Sequence, residues 1–194
     1  NVCLCTNNKT NITYAAKILI RQNDDENFSL RFYRELDILI KCKQPTIVKF
    51  LGYSLTDFEG NENPVIIMEN AMGNLHDLTL SDFQKLTNTQ RQIILIGVAR
   101  GMMILHKNNV IHRDLKLDNI LIDDDFHPLI SDFGCSKVFE LNKQKYQSIK
   151  PTTVVYRAPE VDSGEYDLKA DVYSFGIIMF EVVTGMRPYP SKEL

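Results

Sequence analysis

Between residues 110 and 122 the chain reads VIHRDLKLDNILI, with Asp114, Lys116, Asp118 and Asn119 crowded between two apolar ends. Loops carried by a rigid scaffold are where binding and catalytic residues collect. Asp114 is a candidate general base, and Lys116, two residues on, sets a positive charge beside it. Downstream, the apolar runs Ile120 to Ile122 and Leu129 to Ser131 flank the turn-rich DDDFHP, a pattern that predicts a hairpin. Asn119 enters its first strand and Asp132 leaves its second, so an amide oxygen and a carboxylate meet at the open end. Hard oxygen ligands supplied this sparingly suit magnesium, which keeps water and phosphate oxygens in its shell. A base, a cation and a metal site are the parts that phosphoryl transfer requires.

Strands and helices on both sides must position these groups. Val2 to Cys5 and Thr13 to Ile20 read as two strands around the polar turn TNNKTN. NDDENFSLRFYRELDILIKCK has acids ahead of its apolar pattern and lysines at its end, as a helix dipole favours. Phe28, Phe32, Leu36 and Leu39 repeat at helical spacing, and Glu35 falls on the same stripe. An inward carboxylate is costly without a partner, so a cation is expected opposite it.

TIVKFLGYSL and PVIIM read as two further strands, and ENAMGN as a polar connector. The 89–107 segment predicts a long helix with Leu95, Val98, Met102 and Leu105 on its buried side. Gly97 and Gly101, one turn apart, leave room there for another element to approach. KADVYSFGIIMFEVVTG, apolar on most faces and interrupted by Glu181, predicts a core helix ended by Gly185. The first third is thus strand-rich with one helix and the remainder mainly helical, with a boundary expected near 69–73.

Composition narrows the function classes. The 194 residues are 44% hydrophobic and 24% charged with a net charge of -3, an ordinary globular balance that argues against a nucleic-acid partner. No apolar run reaches membrane-spanning length. Cys3, Cys5, Cys42 and Cys135 match neither a zinc site nor a disulfide framework, which favours a reducing, cytoplasmic setting.

HRDLKLDN, followed by DFG and then by APE (Ala158 to Glu160), resembles the protein kinase family. YAAK, Tyr14 to Lys17, is similar to that family's phosphate-contacting lysine motif, and Glu35 to the lysine's partner on the small-lobe helix. The resemblance implies an α+β, bilobal fold. A small antiparallel sheet with one helix would occupy 1–68, a hinge 69–73, and a larger, mainly helical lobe 74–194. It also implies ATP and magnesium as cofactors and a protein substrate.

By the same resemblance, Asp114 would orient or deprotonate the substrate hydroxyl, and Lys116 would steady the transferred phosphoryl group. Asn119 and Asp132 would hold magnesium, and Lys17 would bind the α- and β-phosphates while pairing with Glu35. Met68 would stand behind the adenine, with the backbone of Glu69 and Ala71 at its edge and Ala15 and Leu121 on its faces. Asp171 would anchor the catalytic loop. Lys116 within HRDLK, with Thr153 near Tyr156, resembles the serine/threonine pattern, and DVYSFG resembles the tyrosine-kinase-like group.

The family's glycine-rich loop is absent ahead of Lys17, and the chain stops at YPSKEL before the family's final helices. Truncation at both ends is therefore expected. Three functional readings compete: a serine/threonine protein kinase, a pseudokinase or scaffold, and a small-molecule phosphotransferase; tyrosine specificity is a further alternative. A pseudokinase would lack Lys17, Asp114 or Asp132, and none is missing. The 135–160 segment, ending in APE, suits a peptide substrate; Tyr146, Ser148, Thr152 and Thr153 are its phosphorylation candidates and Arg113 a phosphate receiver. His112 and Phe133 are expected to pack, Asp123 to Asp125 to form a solvated turn, and Cys135 to be a small buried hydrophobe.

Overall fold

A computed structural model describes residues 1–21, 27–81, 86–138, 154–164 and 166–189. The candidates Tyr146, Ser148, Thr152 and Thr153, and the acids at 24–26 expected ahead of the first helix, lie outside the described residues.

Strands β1 (Val2–Thr6) and β2 (Thr13–Ile18) precede helix α1 (Phe28–Lys41), and β3 (Phe50–Ser54) and β4 (Val65–Glu69) follow it. They form one antiparallel sheet in the order β1-β2-β4-β3. The stripe on α1 is buried as its spacing predicts: Phe28, Phe32, Leu36 and Leu39 are at most 7% exposed, and Glu35 among them only 1%. Strand β3 is shorter than expected because Ile47 and Val48 serve another partner. Val48 N–H donates to the Ile130 carbonyl at 3.0 Å, and Ile130 N–H to the Thr46 carbonyl at 3.0 Å. That link ties the end of α1 to the hairpin beyond residue 119.

The remainder begins with β5 (Gly73–Asn74), α2 (Asn88–Lys107) and β6 (Val110–Ile111). The hairpin β7 (Ile120–Ile122) and β8 (Pro128–Ile130) follows, then β9 (Lys137–Val138), α3 (Pro159–Asp162) and α4 (Lys169–Thr184). Helix α2 starts on a capping box, in which the Thr87 hydroxyl accepts from Gln90 N–H at 3.2 Å while Thr87 N–H donates to the Gln90 side chain at 2.9 Å. Its buried side carries Ile94, Val98, Gly101, Met102 and Leu105. Ile94 takes the place expected of Leu95, which is only partly buried. Both glycines meet the hairpin, since a Cβ at Gly97 would lie 2.4 Å from Pro128 Cγ and one at Gly101 2.6 Å from Ile130 Cδ1.

Helix α4 departs from the all-round core helix expected. Ile177, Ile178 and Val182 are buried, but Val172, Met179, Phe180 and Val183 are exposed. Among the described residues it packs on one side only, chiefly against α2 and the 3-10 turn Val154–Tyr156. The architecture is the bilobal α+β arrangement expected, a sheet with one helix followed by a helical part.

Candidate active site

The site is assembled by three elements brought together around Lys17. Strand β2 buries Ala16 completely, so by alternation Lys17 points to the opposite face. Helix α1 turns Glu35 inward to meet it, and Lys17 Nζ donates to Glu35 Oε1 at 2.6 Å. The same ammonium donates to Asp132 Oδ1 at 2.7 Å, just beyond β8. Burial works against the Lys17 charge, but the Glu35 and Asp132 carboxylates overcome it and hold its pKa above the ordinary lysine value. Burial likewise opposes ionisation of Asp132, and Lys17 outweighs it, leaving that carboxyl below its usual value. Glu35 Oε2 is buried with no hydrogen-bond partner among the described residues.

Asp132 adopts left-handed backbone (φ 60°) and opens the 3-10 turn Phe133–Cys135. Such conformations away from glycine concentrate at functional sites. Phe133 fixes the turn by packing on the His112 ring, 5.2 Å between centroids. A Cβ on Gly134 would stand 3.3 Å from Asp132 Oδ1 and 3.7 Å from both Glu35 Oε2 and Lys17 Nζ, so the ionic trio leaves little room for a side chain.

The 110–119 loop is held from two directions. Asp171, 1% exposed at the start of α4, accepts from the backbone N–H of His112 at 2.8 Å and of Arg113 at 3.0 Å. This supports Arg113 at φ 71°. On the other side, the His112 ring donates from Nε2 to the Ser131 carbonyl at 2.9 Å, leaving Nδ1 to face the Asp114 N–H at 3.3 Å. His112 is thus a packing residue, held at both ring nitrogens.

Asp114 Oδ2 accepts from Lys116 Nζ at 3.1 Å and from Asn119 Nδ2 at 3.0 Å. Asn119 Nδ2 also donates to the Asp114 carbonyl at 2.7 Å. Because both partners are acceptors, the amide orientation is fixed, and Oδ1 is turned away from them. Ser131 pins Asn119 to β8, donating to its carbonyl from N at 2.9 Å and from Oγ at 3.0 Å.

The other sequence candidates surround the interval between sheet and hairpin. Ala15, half-buried, is paired with Met68 in the β2–β4 ladder, and Met68 is 7% exposed. Glu69 directs its carboxylate to the Lys49 N–H at 2.6 Å, and Ala71 packs on the core. Leu121, half-buried on β7, lies opposite Asn74 of β5 and Leu129 of β8. Asp123 caps its own turn through the N–H groups of Asp125 at 2.9 Å and His127 at 2.8 Å, as a solvated turn requires. Cys135 is half-buried, not fully buried as expected, and lines a recess with Arg31, Arg34, Arg113 and Lys137.

For a hard metal ion, Asn119 Oδ1 and the second Asp132 oxygen are suitable donors on adjoining elements. No group of three or more His, Cys, Asp and Glu that could hold a metal occurs among the described residues. A two-oxygen set fits magnesium, whose remaining positions go to phosphate and water. Sequence reasoning missed Tyr156 and Arg187, which meet Glu181 below the loop. The one signal for that cluster was a carboxylate inside an apolar helix.

The model of the protein kinase domain matches residues 1–194. Cysteine-rich receptor-like protein kinase 25 of Arabidopsis thaliana is 36% identical over 164 residues, covering 80% of this chain and 24% of that protein. Serine/threonine-protein kinase 12 of the same plant is 36% identical over 188 residues, 91% of this chain and 40% of the relative. A putative serine/threonine-protein kinase/receptor of Acanthamoeba polyphaga mimivirus is 36% identical over 182 residues, 92% of this chain and 11% of the relative. The chain therefore spans well under half the length of these relatives. No helix among the described residues is long and apolar enough to cross a membrane.

Proposed function

The chain belongs to the protein kinase family, and from that premise we propose that it transfers the γ-phosphoryl group of ATP to serine and threonine hydroxyls of protein substrates. The observation that carries the reading is the single ammonium of Lys17 bonded to both Glu35 and Asp132. It joins a strand, the helix α1 and the hairpin into one charged centre next to Asp114, Lys116 and Asn119. Residues 69–73 act as the hinge between a small lobe, 1–68, and a large lobe, 74–194.

Adenine lies between Ala15 and Leu121, with Met68 behind it and the backbone of Glu69 and Ala71 along its edge. Lys17 holds the α- and β-phosphates while Glu35 fixes the ammonium. Asn119 and Asp132 would hold magnesium, whose positive charge would offset that of the phosphate oxygens. Asp114 orients the acceptor hydroxyl and takes its proton as that oxygen attacks the γ-phosphorus; the bond to the β-bridging oxygen breaks and ADP leaves. Lys116, 3.1 Å from Asp114, offsets the negative charge of the transferred group.

Serine/threonine preference is supported by Lys116 beside the base and by the names of the relatives. The four free cysteines support a reducing, cytoplasmic setting. The test is phosphate transfer to peptides carrying Ser, Thr or Tyr acceptors, with nucleotide affinity measured in parallel. Asp114→Asn should lower turnover at least about 100-fold, the scale of a lost general base, while leaving ATP affinity within about twofold. Near-normal turnover by Asp114→Asn would remove the base assignment, and transfer mainly to Tyr would remove the serine/threonine assignment.

A further inference from the structure

A cavity of about 590 Å3 lies at the seam where the end of α1, the 43–50 segment and the β7–β8 hairpin meet. Leu39, Ile47, Val48 and Leu129 form its floor, none of them more than 4% exposed. Backbone hydrogen bonds fix that floor. Val48 N–H donates to the Ile130 carbonyl, Ile130 N–H to the Thr46 carbonyl and Ile47 N–H to the Gln44 carbonyl, each at 3.0 Å. Ile40, 57% exposed, and Phe50 add apolar walls. Pockets for small molecules have volumes of about 300–1,000 Å3 and are largely formed before the ligand arrives. None of Lys17, Asp114, Lys116, Asn119 and Asp132 lines this cavity, so it is separate from the charged centre described above.

Four charged residues border the cavity: Lys43 and Lys49, Glu69 at the end of β4, and Asp123 in the hairpin turn. Both acids are already engaged. Glu69 Oε1 accepts from Lys49 N–H at 2.6 Å, and Glu69 N–H donates to the Lys49 carbonyl at 3.0 Å. Asp123 Oδ1 accepts from Asp125 N–H at 2.9 Å and His127 N–H at 2.8 Å, and its Oδ2 lies 3.4 Å from His127 Nδ1. Neither Lys43 nor Lys49 forms an ion pair among the described residues, whereas Lys41 nearby is taken by Asp37 at 2.7 Å. An ammonium is a donor with no acceptor, so the capacity left at the rim is donor capacity carrying positive charge. An apolar floor beneath a cationic rim complements an amphipathic anion.

We propose that this cavity binds a medium-chain monocarboxylate, with its alkyl chain on the apolar floor and its carboxylate between Lys43 and Lys49. Each CH2 group moved from water onto Leu39, Ile47, Val48 and Leu129 adds to the affinity. The lysine stems extend that apolar surface while their ammonium groups stay at the water's edge. Charge-assisted hydrogen bonds from those groups fix the head. A cationic amphiphile would meet two like charges and two acids that already have partners. Leu39 and Ile40 lie one turn beyond Glu35 on α1, so an occupant bears on the helix that carries Glu35 without entering the space around Lys17.

The test titrates the whole chain with sodium decanoate by calorimetry, with decanol and decyltrimethylammonium as neutral and cationic probes of the same chain length. Decanoate should bind one to one and tighter than about 1 mM, which the efficiency of ligands with so few atoms allows. Decanol and the cation should each bind at least about tenfold more weakly. Combining Lys43→Gln with Lys49→Gln should weaken decanoate at least about tenfold, the effect of losing one charge-assisted hydrogen bond, and leave decanol within about twofold. Ile40→Glu sets an anion on the exposed wall and should weaken decanoate at least as much, whereas Lys41→Gln, outside the cavity, should leave it within about twofold. In the wild type, saturating decanoate should slow amide exchange at Val48 and Ile130, and resonance shifts should centre on residues 39–50 and 129. Those wild-type measurements decide the proposal even if a variant fails to fold. No decanoate binding, equal affinity for the cation, unchanged affinity in the double lysine variant, or shifts centred on Ala15, Lys17 and Leu121 would each overturn it. None of these measurements depends on phosphate transfer, so the cavity and the kinase reading stand or fall separately.

Discussion

Lys17→Met and Glu35→Gln, singly and together, test whether the ammonium and the inward carboxylate act as one device. Lys17 is the sole cation bonded to Glu35 among the described residues, Glu35 is 1% exposed, and its Oε2 has no partner there. Lys17→Met therefore strands a buried carboxylate, a change that costs about 3–5 kcal/mol when one member of a buried pair is removed. Glu35→Gln is milder, because Lys17 keeps Asp132 at 2.7 Å and the new amide carries no charge. It forfeits one charge-assisted hydrogen bond, about 1.5–3 kcal/mol.

In the double variant no charge remains buried on α1, so the combined loss should fall short of the sum by about 1–3 kcal/mol, the range of directly contacting pairs. Urea denaturation of the four proteins gives the stability cycle, and kcat/KM gives the catalytic one. Each single variant should lose about 100-fold in kcat/KM, since small misplacements of the phosphates have that effect. Strictly additive losses in both cycles would mean that Lys17 and Glu35 work independently. An equal penalty for the two single variants would contradict the asymmetry that Asp132 creates.

The same centre sets a pH window. Lys17 is held above its ordinary pKa, so its contribution to stability is complete below that ordinary value and is lost as pH rises through the raised one. Asp132 is held below its ordinary pKa, so its contribution is complete above the ordinary value and is lost as pH falls through the depressed one. Urea midpoints from about pH 4 to about pH 10, between the two ordinary pKa values, should show no loss from this pair, and Lys17→Met should lessen the fall on the alkaline side; an unaltered alkaline limb would count against the ion pair. Gly101→Ala should destabilise by about 1–3 kcal/mol as an overpacked contact, because its Cβ would meet Ile130 Cδ1 at 2.6 Å and the Thr46 backbone oxygen at 3.1 Å. A gain of about 1 kcal/mol, the helix-propensity advantage of alanine, would show that the hairpin does not press on α2 there.

How far the site could be read from sequence follows from how local each constraint is. Glu35 was legible because a carboxylate on an apolar stripe demands a cation, whatever the rest of the chain does. Asn119 and Asp132 were legible because two short apolar runs around a turn bring their outer ends together without help from elsewhere. The limits of β3 were not, since Ile47 and Val48 hydrogen-bond to or lie beside Ile130, a partner far along the chain that no local pattern names. The exchange of Leu95 for Ile94 is a matter of helix phase, which depends on where Pro128 and Ile130 press on α2.

Glu181 shows the same limit in the functional part. Its partners Tyr156 and Arg187 flank it from a turn and a loop on either side of α4, and His76 joins from the segment after β5. Each residue alone has an ordinary reading: a core tyrosine, a surface arginine, a loop histidine. Only their convergence makes the buried acid affordable, and convergence is a property of the tertiary structure. The rule that called for a cation opposite Glu35 therefore applies again at Glu181. An acid in an apolar helix shows that a partner exists, and three segments must be folded around it before that partner has a name.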